Sequence, residues 1–307
     1  MTIDQHPLLV VDGACGTNLQ EMDIPDSAWG DKEGCNEYLN LTAPEVIQEL
    51  HRSFVDAGAM IIETNTFGAS SIVLAEYALE DRVDAINQAA VAHARAAIGD
   101  LPDRYVAGSL GPSTKLPSLG HIDYDTMYAA YDEQLRSLIK AGVDLLIVET
   151  GQDMLQMKIA LVAAFDVMKE REVALPVMAS ITIERTGTML VGSDIGAAVA
   201  TLEPFPLFSL GLNCATGPSD MISHVRYLSH QWPQRISCIP NQGLPEVVDG
   251  KTVYPLSPDD YAEHMKHFVK DFGVSIVGGC CGTTPAHIRA LVAALADVSP
   301  GEREVSA

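Results

Sequence analysis

The sequence predicts an α/β fold, a single (β/α)8 TIM barrel. Three observations carry that reading. Eight short apolar segments recur along the 307 residues, and helical patterns separate most of them. Each segment ends in small or polar residues, so polar groups collect at the carboxyl ends of the strands, where such barrels build their sites. The length also suits one barrel, since these commonly run to about 250 residues or more.

The strand-like segments are 8–13, 60–65, 105–111, 144–150, 176–182, 207–214, 235–241 and 275–282. After the first comes the helical pattern 44–57, with Val46, Ile47, Leu50 and Phe54 on one face. Pro44 suits its first turn, where a missing amide hydrogen costs little. Further helices are predicted over 83–98, 126–141, 154–169, 219–229, 258–270 and 285–296. Only a short helix, 195–202, links the fifth and sixth strands. Ser257 before Pro258 and Thr284 before Pro285 read as N-caps followed by proline. A doubly wound open sheet would share this alternation, and strand closure is what separates the two. No repeat, low-complexity tract or linker divides the chain, so one domain is expected over 1–307, with its core at about 8–297. The ends, 1–7 and 298–307, are expected to be loose.

Apolar residues make up 47% of the chain, enough for a large core. The net charge of −22, from 41 acidic and 19 basic residues, repels phosphate backbones and argues against nucleic-acid binding. No stretch approaches the roughly 18 apolar residues of a membrane span. The N-terminus carries no basic region followed by an apolar core, so a cytoplasmic protein without a secretory signal is expected. Six cysteines could pair as three disulfides in a secreted protein, but the chain length, the missing signal and the adjacency of Cys280 and Cys281 argue against that.

Those adjacent cysteines stand in Gly278-Gly279-Cys280-Cys281-Gly282-Thr283-Thr284-Pro285, directly after an apolar segment. In an extended strand, neighbouring side chains point to opposite faces and two adjacent thiols diverge. Flanking glycines let the backbone leave that geometry, so both sulfurs can turn to one point. Cys214 ends another apolar segment, two strands away. Three thiolates and one open position describe a Zn2+ ion with room for a substrate. Cys15, Cys35 and Cys238 read as structural, since free cysteine behaves as a small hydrophobe. Asp12 could cap a turn, Glu149 could form a rim ion pair, and Thr64 has a plain role as a β-branched strand residue. Glu63 should face away from Thr64 and reads as structural, Asn241 as a substrate contact or a turn residue, and His287 as exposed on a helix. The loop 111–117 could close over a ligand or form part of the rim.

Taken together, Asp12-Gly13-Ala14-Cys15-Gly16-Thr17, Glu63-Thr64-Asn65-Thr66-Phe67-Gly68, Gly211-Leu212-Asn213-Cys214 and Gly278 to Thr284 resemble the zinc-dependent homocysteine S-methyltransferase family. The likeness is greatest to the homocysteine-binding barrel of the cobalamin-dependent methionine synthases. It implies methyl transfer to the thiol of homocysteine, giving methionine. It also implies one zinc held by Cys214, Cys280 and Cys281, with homocysteine's amino and carboxylate groups near Asp12, Gly13, Thr64 and Glu149. No cobalamin-binding motif is present: Asp4-Gln5-His6 begins like one, but Leu9 stands where its glycine belongs. The resemblance therefore favours methylcobalamin carried on a separate corrinoid protein. The alternatives are S-methylmethionine or betaine as donor, or a non-catalytic homocysteine- and zinc-binding subunit. Betaine-type relatives resemble this chain except for a tyrosine where Gly68 stands.

Overall fold

A computed structural model describes residues 1–248 and 251–306. Eight parallel strands form one sheet: β1 (Leu9–Val10), β2 (Ile61–Glu63), β3 (Tyr105–Leu110), β4 (Leu145–Gly151), β5 (Val177–Ile181), β6 (Ser209–Asn213), β7 (Arg235–Ile239) and β8 (Ile276–Val277). Strand β8 lies between β7 and β1. The sheet closes where Val11 bridges Ile61 in parallel, with Met60 N–H donating to Val10 at 2.7 Å and Asp12 N–H to Ile61 at 3.0 Å. Closure makes this a barrel and removes the open-sheet alternative.

Helices α1 (Pro44–Ala57), α2 (Val83–Ile98), α3 (Tyr124–Ala141), α4 (Met154–Glu170), α5 (Ile195–Leu202), α6 (Pro218–Gln231), α7 (Pro258–Phe272) and α8 (Pro285–Leu295) follow the strands in turn. The short α5 is the expected weak link. Ser257 caps α7, accepting Asp260 N–H at 3.2 Å. Alternation along the strands makes two cores. Leu9, Val11, Ile61, Ile147, Met178 and Ile276 fill the barrel interior. Their outward neighbours, such as Val10, Ile62 and Val277, pack with the inner faces of the helices.

The predicted strands are trimmed at the end that matters most. Segments 8–13 and 275–282 keep only two ladder residues each, because the chain beyond them turns to build the mouth of the barrel. In β4 the register shifts between Val148 and Gly151, and Thr150 takes a left-handed φ of 54°. Several elements have no counterpart in the sequence reading, among them short helices at Cys15–Glu21, Asp26–Trp29, Leu39–Thr42 and Ser71–Leu74 and a hairpin of Glu246–Val248 with Lys251–Val253.

The termini are also tied down. Arg235 donates to the carbonyls of Asp4 and His6, and Met1 pairs with Asp103 at 2.8 Å. At the other end Arg303 donates to the carbonyls of Trp232, Pro233 and Gln234. The expectation of loose ends fails because one arginine at each end satisfies backbone carbonyls that would otherwise stand open. His287 is buried, against expectation. Its Nδ1 accepts Thr284 N–H at 3.2 Å, so Nε2 carries the proton and faces the Leu256 carbonyl at 3.2 Å. Among the described residues, no helix is long and apolar enough to cross a membrane.

Candidate active site

A cavity of about 340 Å³ opens at the carboxyl ends of the strands. Asp12, Gly13, Thr64, Glu149, Cys214, Cys280 and Cys281 all line it, while Asn241 is buried outside its walls with its amide oxygen unpartnered. The loop 111–117 stays out of the wall as well, and the turn after it is anchored where Ser118 donates to Asp153 at 2.6 and 2.9 Å.

Cys214 follows β6 in a left-handed conformation (φ 61°), as does Ala215 (φ 56°). Each such non-glycine residue costs about 1–3 kcal/mol and persists only when its surroundings hold it. Across the mouth, Cys280 N–H donates to the Pro240 carbonyl at 2.8 Å, and Gln242 N–H to the Cys281 carbonyl at 2.9 Å. Gly282 turns the chain at φ 81°, and a Cβ on Gly279 would run into Thr283. The three Sγ atoms consequently lie within 4.8 Å of one another, with Cys214 and Cys281 3.9 Å apart. Zinc–sulfur bonds of about 2.3 Å in a tetrahedron require sulfurs about 3.8 Å apart. The donor set fits zinc in both chemistry and spacing.

Left to themselves, the three thiols share a single thiolate. Hydrogen bonds from Cys214 and Cys280 hold Cys281 down to about 3. Hydrogen bonds to Cys214 and Cys281, with burial, push Cys280 well up. Cys214 is pushed up to about 12, since its hydrogen bond to Cys281, burial and the Cys281 charge outweigh a lowering bond from Cys280. A divalent cation is what allows all three to ionise.

The same cavity is also lined by acids. Glu149 Oε1 accepts the Ser109 hydroxyl at 2.5 Å, and Asn213 Nδ2 donates to Oε2 at 3.5 Å. Burial raises this carboxyl to about 7, against the lowering effect of Ser109. Asp12 Oδ2 accepts Glu63 N–H at 3.1 Å, while its Oδ1 is buried without a partner. Burial lifts both Asp12 and Glu63, and the neighbouring carboxylates add to the shift. Among the described residues, no lysine or arginine lines the cavity and none of these three acids has an ion-pair partner. Two buried carboxyls and the half-buried Glu63, with no described cation among them, have the chemistry to pair with an ammonium group.

Thr64 has little left to offer a ligand. Its hydroxyl accepts Ser109 N–H at 3.1 Å and donates to Thr66 Oγ1 at 2.6 Å, since Thr66 spends its own proton on the Ser109 carbonyl. At Gly13 a Cβ would sit 2.6 Å from Phe54 Cε1, so the backbone passes closer there than any side chain permits.

The sequence reading missed Ser109, Thr150 and His51 and took Glu63 and Cys15 as structural; all five stand in the cavity wall. Cys35 and Cys238 are buried, as expected of structural cysteines. Cys15 donates to Asn65 Oδ1 at 3.4 Å, and burial first, then nearby carboxylates, keep it protonated. His51 on α1 has a buried, unpartnered Nε2 and is held down to about 4, chiefly by burial and then by His93. Between pH 6.5 and 4 the unfolded chain therefore binds a proton at His51 that the fold refuses, and stability falls as pH falls. Full protonation costs about 3 kcal/mol. Thermal melts should show wild type losing ground to His51→Gln as pH drops through that window; parallel melting curves would refute the assignment.

An eight-stranded barrel with a three-thiol centre at its mouth defines a metal-dependent class, and comparison with known proteins gives the family. The family model described as homocysteine S-methyltransferase matches residues 9–295, and the chain belongs to that family. It is 46% identical over 303 residues to a methionine synthase of Mycobacterium tuberculosis and 44% identical over 308 residues to that of Mycobacterium leprae. Each match covers 97% of this chain but only 25% and 26% of the relative, so the chain spans about a quarter of their length. Among solved structures, the metallated homocysteine methyltransferase MmuM of Escherichia coli shares the fold, with a TM-score of 0.75 and 24% identity over 95% of this chain and 97% of its own.

That comparison corrects one expectation. Methylcobalamin on a separate corrinoid protein is not carried forward as the donor, because in the solved homocysteine methyltransferase with this fold a single barrel accounts for nearly the whole chain. The sequence pointed elsewhere because its likeness is to one barrel of a much longer protein. A barrel's likeness fixes the acceptor side and carries no information about modules beyond it.

Proposed function

We propose that this barrel transfers a methyl group from a small onium donor, S-methylmethionine, to the thiol of homocysteine, with zinc held by Cys214, Cys280 and Cys281. One observation carries the reading: a three-thiol centre and a set of carboxyls with no cation beside them among the described residues line one cavity. Homocysteine bears the matching groups, a thiol at one end and an ammonium at the other. When bound, zinc supplies the positive charge that keeps the acceptor sulfur a thiolate near neutral pH, the form that attacks carbon.

The chain's own groups do the rest. Glu149 and Asp12 pair with the ammonium and fix the acceptor's direction, and its carboxylate lies toward Gly13 in the same wall. The acceptor sulfur then attacks the donor methyl in line. The new S–CH3 bond takes its electron pair from that sulfur, and the pair of the broken bond stays on the donor, which departs as a neutral thioether. The acidic wall favours a donor that arrives with a positive charge. Betaine is the second choice. A side chain at Gly68 would begin 2.9 Å from Glu37 Oε1 and 3.1 Å from Val73, so the tyrosine of betaine-type relatives has no room there.

Zinc-loaded protein with homocysteine, supplied in turn with S-methylmethionine, betaine and methylcobalamin, tests this. Methionine should form with S-methylmethionine. Retained homocysteine binding with no methionine from any donor would mark a binding subunit instead, and turnover with methylcobalamin alone would overturn the donor assignment.

A further inference from the structure

Resting on that reading of the cavity, we propose that Asn213 is a positioning residue. It sets the span between the metal-held thiol and the ammonium of the acceptor, and so selects homocysteine over its one-methylene-shorter homologue, cysteine. Asn213 is fully buried at the end of β6, directly before Cys214. Its Oδ1 accepts Thr150 N–H at 2.9 Å and the Ser180 hydroxyl at 2.7 Å. Its Nδ2 donates to Thr150 Oγ1 at 2.7 Å and to Glu149 Oε2 at 3.5 Å. The backbone N–H of Thr150 can only donate, which fixes which amide atom is oxygen. Every side-chain donor and acceptor is therefore used, and the Asn213 carbonyl accepts the Thr182 hydroxyl at 2.9 Å as well.

These bonds tie three successive strands together at the mouth. Strand β4 brings Glu149, the ammonium end of the site, and β6 leads into Cys214, the thiol end. Strand β5 lies between them and contributes Ser180, and Thr182 follows at its end. At both ends the backbone is left-handed, Thr150 at φ 54° and Cys214 at φ 61°, and the Asn213 amide bonds Thr150 from both of its atoms. Strained residues keep their geometry only when neighbours over-determine it, and this amide supplies that excess. The distance from thiolate cluster to carboxylate is thus built in. With both ends held in place, an acceptor one methylene shorter loses fit at one of them, a difference worth about 10- to 200-fold.

The test uses zinc-loaded wild type, Asn213→Asp and Ser180→Ala, each titrated with homocysteine and with cysteine by calorimetry, with zinc per chain measured in parallel. Wild type should prefer homocysteine by at least about tenfold. Asn213→Asp keeps the shape but repels Glu149, and its preference should fall toward one while zinc stays bound. An unchanged preference, or equal loss of both affinities, overturns the proposal. If Asn213→Asp releases zinc, Ser180→Ala decides by the same ratio, since it removes one strand tie without adding charge. A wild type that binds neither thiol overturns the homocysteine reading itself, and a wild type that binds both equally overturns only the role of Asn213.

Discussion

Cys281→Ser is expected to empty the metal site and stop turnover together. Serine keeps the shape of the side chain, but its hydroxyl does not ionise near neutral pH. Cys281 holds the one thiolate that the cluster keeps without help, lowered to about 3 by hydrogen bonds from Cys214 and Cys280. Removing it leaves two protein thiols where the metal needs three, and the serine hydroxyl does not replace the lost thiolate. Loss of an outer-shell partner costs about 10- to 100-fold in metal affinity or activity, and loss of a ligand should cost well beyond that. Zinc content by mass spectrometry of the intact protein and methionine formation should drop in step. Full activity in a variant that holds no zinc would sink the scheme. The fold itself should survive, because Cys281 stands at the rim and neither barrel core includes it.

The contrast between what could and could not be read from sequence follows one physical line. Cys280, Cys281 and Cys214 were legible because glycine beside adjacent cysteines is a local signal, and the strand count then placed Cys214 nearby. Glu63 was misread by the rule that neighbouring residues on a strand face opposite ways. That rule ends with the ladder. Strand β2 stops at Glu63, so Glu63 and Thr64 both reach the cavity, just as Cys280 and Cys281 both reach the metal site past the end of β8. Asn213 stood inside a recognised motif without a role, since its partners Thr150, Ser180 and Glu149 lie 33 to 64 residues away in sequence. Likewise, nothing local tells that Arg303 would close the far end of the barrel on the carbonyls of Trp232 and Gln234. Strand alternation gives the barrel, but the network that aims its side chains is written in long-range contacts.

Glu149→Gln should separate stability from binding by moving them in opposite directions. Burial lifts this carboxyl from 4.5 to about 7, and with no cation beside it the ionised form is a cost to the ligand-free fold. The sign follows from linkage. The folded state holds a proton between pH 4.5 and 7 that the unfolded chain has released, so stability falls as pH rises through that window. Above pH 7 the penalty is complete, about 3 kcal/mol, and below pH 4.5 it vanishes. Glutamine carries no charge and its amide oxygen can still take the Ser109 hydroxyl, so the variant should melt higher than wild type at pH 8 and alike at pH 4. Binding runs the other way. Only the ionised carboxylate pairs with an ammonium, so wild-type affinity for homocysteine should climb as pH rises toward and through 7. In Glu149→Gln that limb should flatten, and affinity at pH 8 should fall by about 2–5 kcal/mol, roughly thirtyfold to several thousandfold. Melting curves across pH 4 to 8 and calorimetric titrations across pH 5 to 8 read both effects on the same protein. A variant that is less stable at pH 8, with its homocysteine affinity unchanged, would show that Glu149 is a structural group and that the ammonium sits elsewhere. The expected pair of shifts has one cause: a buried negative charge that the fold tolerates because a positively charged substrate completes it.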